Sequence, residues 1–403
     1  MEFNVIGGGP AGLAAAIELA RGGGRVRLIE QHHELGGRAG TVVKDGFSLN
    51  FGPHAVYLQG FTYRTLTDWG IMPSGSSPVL GDRGAMVRHG RRHGFVRDIP
   101  SLAFSTFLNP LEKVEAAAVV SKLRASTPGA GAGLSMAQWL DLETRSAAVR
   151  DFAQALVRVS TYCGQPEMQS AEVVLEQLGI ANRGGVTYVD GGWQSMIGAM
   201  AACARSLGVE IETGVPAKHV PAKDVPNNDA TQGTVLAVSP HEVEHLTGRK
   251  LPAMTNIRMA CLDLCLTSLP EGSAVFALGL DQPLYLSVHS EWVKVAPPGK
   301  ALVHVAKYKG GEAADAAGDR TELENFADLL LPGWRNRAEY IRFLPEMTVS
   351  HAVTGLTPRP DVDALGLDGV RIAGDWVGPE GMLADAAVAS GVRAARSLLS
   401  VAA

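Results

Sequence analysis

Cysteine is scarce in this chain, with four among 403 residues, at Cys163, Cys203, Cys261 and Cys265. So few cysteines at such spacing make no disulfide framework, and the chain reads as a protein of a reducing compartment, the cytoplasm. No second Cys or His pair stands near Cys261 and Cys265, so they read as small buried apolar residues and no metal site is expected. Basic residues are also few. The 36 Lys and Arg against 41 Asp and Glu leave a net charge of −5, which argues against a nucleic-acid partner. The one cationic cluster, His89, Arg91, Arg92 and His93, reads as a solvated hairpin. No apolar run reaches the roughly 18–20 residues that a membrane-spanning helix needs. No charged and then apolar leader precedes the first strand pattern, so secretion is not expected. The composition is nevertheless 46% hydrophobic, which leaves room for peripheral contact with a membrane or for a lipophilic ligand.

What is present is organised in alternating strand and helix signals. Phe3–Ile6 is a short apolar run ending in three glycines, residues 11–21 carry small and apolar side chains at helical spacing, and Arg25–Glu30 alternates as a strand does. This is the βαβ unit of a doubly wound parallel sheet. Residues 81–182 read as a helical cap, with helices over 110–125, 135–143, 147–162 and 168–179. Asn109 with Glu112, and Ser135 with Gln138, form capping boxes, and Pro128-Gly129-Ala130-Gly131 is a break. A helix over 193–206 and strands over 209–213 and 234–238 return the chain to the parallel sheet. Residues 256–310 are dominated by strand-like runs and predict an antiparallel sheet. The expected fold class is therefore α/β: a discontinuous nucleotide-binding domain (1–80, 183–255 and 340–403) beside a substrate domain of helical cap (81–182) and antiparallel sheet (256–339).

Gly7-x-Gly9-x-x-Gly12 alone would be a weak motif. Here it follows a strand, opens a helix through Pro10 and Ala11, and is answered by Glu30 at the end of the second strand. Gly7 permits the tight turn, and Gly9 lets backbone amides approach a diphosphate on the helix N-terminus. Gly12 lets helix and sheet pack closely, and Glu30 accepts hydrogen bonds from ribose hydroxyls.

The next residues are Leu35-Gly36-Gly37-Arg38-Ala39-Gly40-Thr41. With this extension the sequence resembles the flavoenzyme family that contains phytoene desaturases, monoamine and polyamine oxidases and protoporphyrinogen oxidase. The resemblance implies FAD, with Gly36, Gly37 and Arg38 beside its diphosphate and ribityl chain. It extends to Gly369–Asp375, a strand ending in Gly374-Asp375, and to the helix after Gly381-Met382. There it implies Asp375 on the ribityl or phosphate oxygens and the Met382 amide at the flavin pyrimidine. Val215, after the strand 209–213, is implied behind the adenine, although the proline-bearing loop 216–233 departs from the family pattern. No cysteine lies between 340 and 385, so FAD is expected to be non-covalent.

The same resemblance implies hydride transfer from a C–C or C–N bond of a lipophilic small molecule to flavin N5, with O2 or a quinone as final acceptor. An amine oxidase producing H2O2, and a non-redox flavin-dependent isomerase or binding module, stand as alternatives. Some amine oxidases of the family hold a lysine near N5; Lys307, on the strand face of Val303 and Val305, is the candidate, with a solvated strand-end lysine the plainer reading. His54, in the loop after the Gly-Gly-Arg strand, reads as a proton acceptor or, more simply, a brace. Tyr57 and Trp376 are candidate pocket walls.

Overall fold

The computed structural model describes residues 1–125, 129–217 and 231–402. Most of the loop 216–233 and Pro128 of the expected break therefore lie outside the described residues. The first domain is built on five parallel strands in the order Glu210–Thr213, Arg25–Glu30, Glu2–Ile6, Thr231–Leu236, Val370–Ile372. Such a sheet must be covered on both faces, because crossover helices connect its strands. The helix Pro10–Arg21 and the C-terminal helix Leu383–Ala402 cross closely on one face, where an added Cβ at Gly391 would lie 2.2 Å from the Ala11 carbonyl oxygen. Leu13, Ile17, Leu28, Val235 and Val392 fill the space between helices and sheet.

The second domain is a seven-stranded sheet in the order Ala338–Ser350, Ile257–Leu266, Ala301–Tyr308, Leu284–Val288, Phe276–Gly279, Gly84–Arg88, Arg91–Gly94. Every described pairing in it is antiparallel except Phe276–Gly279 on Gly84–Arg88, which is parallel. The sheet thus takes two strands from the expected helical cap (81–182) and one that crosses the expected boundary at 340. The reason is register: Arg342 to Leu344 pair with Cys261 to Asp263, which draws 338–350 away from the first domain. The cluster His89 to His93 does sit on a hairpin, turning at His89-Gly90.

Alternation along the strands sets what each face meets. Leu262, Leu264, Val303 and Val305 pack on the helix Ala316–Leu330, through Leu323, Phe326 and Leu330. Met259, Cys261, Ala306 and Tyr308 face the cap helices Pro110–Ala125, Met136–Glu143, Ala147–Thr161 and Ala171–Gly184. Both expected capping boxes form. Asn109 and Glu112 exchange backbone-to-side-chain bonds of 2.8 and 3.0 Å, and Ser135 and Gln138 do so at 2.8 and 3.2 Å. Among the described residues, no helix is long and apolar enough to cross a membrane.

Candidate active site

A cavity of about 580 Å³ lies along the carboxyl ends of all five parallel strands and runs on under the second sheet. Its lining includes Gly7, Glu30, Val215, Ala237 and Asp375, each within three residues after its strand or at its last position. The switch point of a parallel sheet opens such a crevice, because successive helices leave to opposite faces there. The volume suits a cofactor-sized ligand.

The glycine turn has three separate reasons for its three glycines. Gly7 has φ +105°, and a Cβ there would meet the Ala237 carbonyl oxygen at 2.3 Å. A Cβ at Gly12 would lie 1.8 Å from the Gly7 carbonyl oxygen, so helix and turn touch directly. At Gly9 a Cβ would meet only the Gly36 carbonyl oxygen, at 3.8 Å. Gly9 thus faces the open cavity, beside a helix start that no side chain caps. This is a cradle for an anion. Glu30 is buried, with one carboxylate oxygen accepting from the Gly8 N–H at 2.7 Å and the other from the His32 N–H at 2.8 Å. The Glu30 carbonyl accepts from the Val215 N–H at 3.0 Å, which fixes Val215 at the same end of the cavity.

In mid-cavity, Arg38 meets Asp375. Two guanidinium nitrogens donate to the two carboxylate oxygens, both at 2.8 Å, and the Val349 carbonyl accepts a third bond at 2.7 Å. Burial opposes ionisation of Asp375, but Arg38, seconded by His351, holds its carboxyl well below the ordinary range. Arg38 therefore arrives at the site already paired.

At the far end the loop after Phe47–Asn50 carries His54, which stacks on Trp193 at 4.6 Å. Trp193 is positioned from two sides: it opens the helix Trp193–Ser206, and its backbone N–H donates to the Asn50 side-chain oxygen at 3.0 Å. Burial, then the nearby His304 and Arg38, push the His54 pKa down to about 3, so its ring is neutral. Tyr57, Tyr162, Met259 and Met347 complete this compartment, and Trp376 also lines the cavity.

Of the residues singled out in the sequence, the structure gathers Gly7, Gly9, Pro10, Ala11, Glu30, Gly37, Arg38, His54, Val215, Gly374 and Asp375 around one cavity. Gly12 stands behind it. Met382 is buried but does not line it; Leu383 and Ala384, the next two residues, do. Lys307 is not in the site. Alternation does place it with Val303 and Val305, but that face is covered by the helix Ala316–Leu330. Its ammonium there pairs with Asp319 and Glu322, both at 2.9 Å.

Sequence reading missed the polar row behind His54. Arg342, Asp263 and His304 are direct neighbours across three strands; Asp263 accepts from Arg342 Nε at 2.7 Å and lies 2.6 Å from His304 Nδ1. The signal was legible as a lone Asp in the apolar run Met259–Leu266. Cys261, Asp263 and His304 lie within 4.8 Å of one another, as metal ligands would, but the Arg342 guanidinium already supplies the counter-charge.

A family model described as flavin containing amine oxidoreductase matches residues 10–239, more than half of the chain. The chain belongs to that family. It is accordingly a flavin-dependent oxidoreductase. A carotenoid 3,4-desaturase of Haloarcula japonica is 46% identical over 52 residues, 13% of this chain and 10% of that protein. The matched stretch is thus about a tenth of that relative's length. Across nearly the whole chain, an oxidoreductase from Methanosarcina mazei has the same fold, with a TM-score of 0.80 at 18% identity over 98% of this chain and 100% of that one. A putrescine oxidase bound to putrescine follows with 0.71 at 17% identity, covering 99% of each chain. At such identities these likenesses speak to fold alone.

Proposed function

We propose that this flavoprotein binds FAD non-covalently and removes hydrogen from a C–C or C–N bond of a lipophilic small molecule, in the manner of a desaturase or dehydrogenase. The observation that carries this reading is the compartment beyond the Arg38–Asp375 pair. Its walls are Tyr57, Tyr162, Trp193, Met259 and Met347, with a neutral His54, and the candidate ammonium, Lys307, is turned to the other side of the sheet.

The residues fit the cofactor. Gly7, Gly9 and the uncapped helix start at Pro10 and Ala11 would hold the diphosphate, and Glu30 has lone pairs left for ribose hydroxyls beside Val215. Asp375, kept ionised by Arg38, would accept from the ribityl chain, with Gly37 and Gly374 giving backbone clearance. At the C-terminal helix Leu383 and Ala384, and not Met382, line the cavity, and the helix start there would favour negative charge on the ring. None of the four cysteines is among the lining residues, which favours non-covalent binding. The chemistry that a flavin supplies in such a place is acceptance of two electrons with the hydrogen of a substrate C–H bond. The protein's part is to orient the substrate, exclude water with aromatic and thioether walls, and keep His54 uncharged as a brace on Trp193.

The test is direct. The purified protein should be yellow and should release FAD on acid precipitation. Under anaerobic conditions, lipophilic alkenes should bleach the flavin, and re-oxidation by O2 or by a quinone then identifies the acceptor. Bleaching by hydrophilic amines alone, with H2O2 on readmitting air and no response to lipophilic alkenes or amines, would overturn the substrate class. A flavin that no reductant bleaches would overturn the redox reading.

A further inference from the structure

Four of the chain's exposed large apolar side chains fall within sixteen residues of the cap. Ile99 is 51% exposed, Phe104 85%, Leu111 83% and Val114 73%. Ile99 and Phe104 bracket the short helix Ile99–Ala103, and Leu111 and Val114 stand in the first turns of Pro110–Ala125. The two helices are tied at both ends. Lys113 Nζ donates to the Ala103 carbonyl at 2.8 Å, beside Phe104, and an Arg124 guanidinium nitrogen donates to the Arg97 carbonyl at 2.9 Å, beside Ile99. On the longer helix the exposed stripe runs through Leu111, Val114 and Ala118, and Glu115 on the same stripe is half-buried and accepts from the Arg145 and Ser146 N–H groups.

Cations rim this apolar face. Arg97, Lys113 and Arg124 bond only to backbone carbonyls, and none has a carboxylate ion-pair partner among the described residues. Arg91 joins them from the hairpin, because His93 on the same strand face bonds Thr106 at 2.7 Å. Three carboxylates lie nearby and keep their charge while accepting from neutral donors: Asp98 from the Ser101 N–H, within electrostatic reach of Arg97 and Arg124, Glu112 from the Asn109 N–H and the Ser146 hydroxyl, and Glu115 from the Arg145 and Ser146 N–H groups. On a chain of net charge −5 this greasy face carries a small local excess of cations, Arg91, Arg97, Lys113 and Arg124 against Asp98, Glu112 and Glu115.

Behind that face lies a second cavity of about 170 Å³ among the cap helices, lined by Ile99, Leu102, Val120, Leu156 and Ser160 among others. The Ser160 carbonyl accepts from the Tyr57 hydroxyl at 2.9 Å, and Tyr57 is a wall of the main cavity. One hydrogen-bonded pair therefore stands between the two chambers.

We infer that the face of Ile99, Phe104, Leu111 and Val114 docks on an anionic lipid bilayer, inserting these side chains among the headgroups while Arg91, Arg97, Lys113 and Arg124 meet lipid phosphates. A peripheral protein needs both signals, apolar insertion and electrostatic attraction, and this patch has both. The inference deepens the lipophilic-substrate reading, on which its purpose rests, by giving that substrate a short path from bilayer to flavin.

The test is co-sedimentation of the flavin-loaded protein with vesicles of phosphatidylcholine mixed with phosphatidylglycerol, and with phosphatidylcholine alone. Binding is expected to the mixed vesicles and to weaken with salt. Phe104→Ser and Leu111→Ser should each weaken it about tenfold, the loss expected for withdrawing one such side chain from an apolar phase. Both sites are exposed, so the fold and flavin spectrum should not change. Arg97→Gln with Arg124→Gln should lessen the preference for phosphatidylglycerol. The inference is overturned if the wild type stays in the supernatant, if the serine variants pellet equally, or if Phe104→Ser converts a dimer to a monomer. Vesicle binding by a protein that reacts with no lipophilic substrate would overturn the catalytic reading and leave the docking surface standing.

Discussion

Arg38 and Asp375, 337 residues apart in the chain, form a two-pronged ion pair with both bonds at 2.8 Å. It joins the Gly-Gly-Arg loop of the chain's start to the Gly-Asp turn near its end, at the middle of the cavity. Removing either partner strands a charge in a site built for two. Arg38→Met should therefore cost several kcal/mol, within the ~3–5 kcal/mol typical of breaking a buried pair, discounted because Arg38 is partly exposed. Thermal unfolding of the apoprotein measures it. The double variant Arg38→Met, Asp375→Asn should recover part of the loss, whereas additive losses would refute direct coupling.

The pair also predicts a pH dependence. Asp375 has its carboxyl depressed in the folded state, so its stabilisation is complete above the unfolded pKa, about 3.9, and is lost as pH falls toward the folded value. Unfolding free energy measured from pH 6 down to pH 2 should decline less steeply in Asp375→Asn than in the wild type.

His54 acts with the same sense for a different reason. Its folded pKa is lowered to about 3 by burial, so protonation below the unfolded value near 6.5 favours the unfolded chain. Stability should be level above pH 7 and fall as pH drops below 6.5, with His289, also lowered by burial, contributing a parallel loss. His54→Gln should reduce that slope by up to one proton in urea titrations at pH 6 and pH 5. An unchanged slope would show that the ring is charged or exposed.

Lys307 distinguishes a structural from a catalytic lysine. Lys307→Met should leave the rate of anaerobic flavin reduction unchanged while destabilising the fold by about 1–3 kcal/mol, because Asp319 keeps only Lys309 as partner. A collapse of the reduction rate with stability intact would mean that the strand turns its other face to the flavin.

Gly9 and Gly12 separate cofactor space from packing. Gly12→Ala puts its methyl 1.8 Å from the Gly7 carbonyl oxygen and should lower the melting temperature of the apoprotein. Gly9→Ala meets nothing closer than 3.8 Å and should leave the apoprotein's stability nearly unaltered while weakening flavin affinity. Flavin titration by fluorescence quenching checks both.

By itself the sequence determined the elements whose causes are local. The turn at Gly7, the acidic end of the second strand, the capping boxes at Asn109 and Ser135, and the hairpin at His89 are each set within a few residues by φ preference, caps or alternation. Fixed spacing even gathered one end of the cavity, since a βαβ unit places its glycine turn and its Glu30 at neighbouring strand ends. Tertiary structure alone decided three other matters. It turned Lys307 toward the helix Ala316–Leu330 instead of the cavity, because alternation names a face but not what covers it. It paired Arg38 with Asp375 instead of leaving a free cation beside a diphosphate. It aligned Arg342, Asp263 and His304 in one row, which depends on register between strands up to 79 residues apart. Register follows from the summed burial of whole strands, and no local pattern carries that sum.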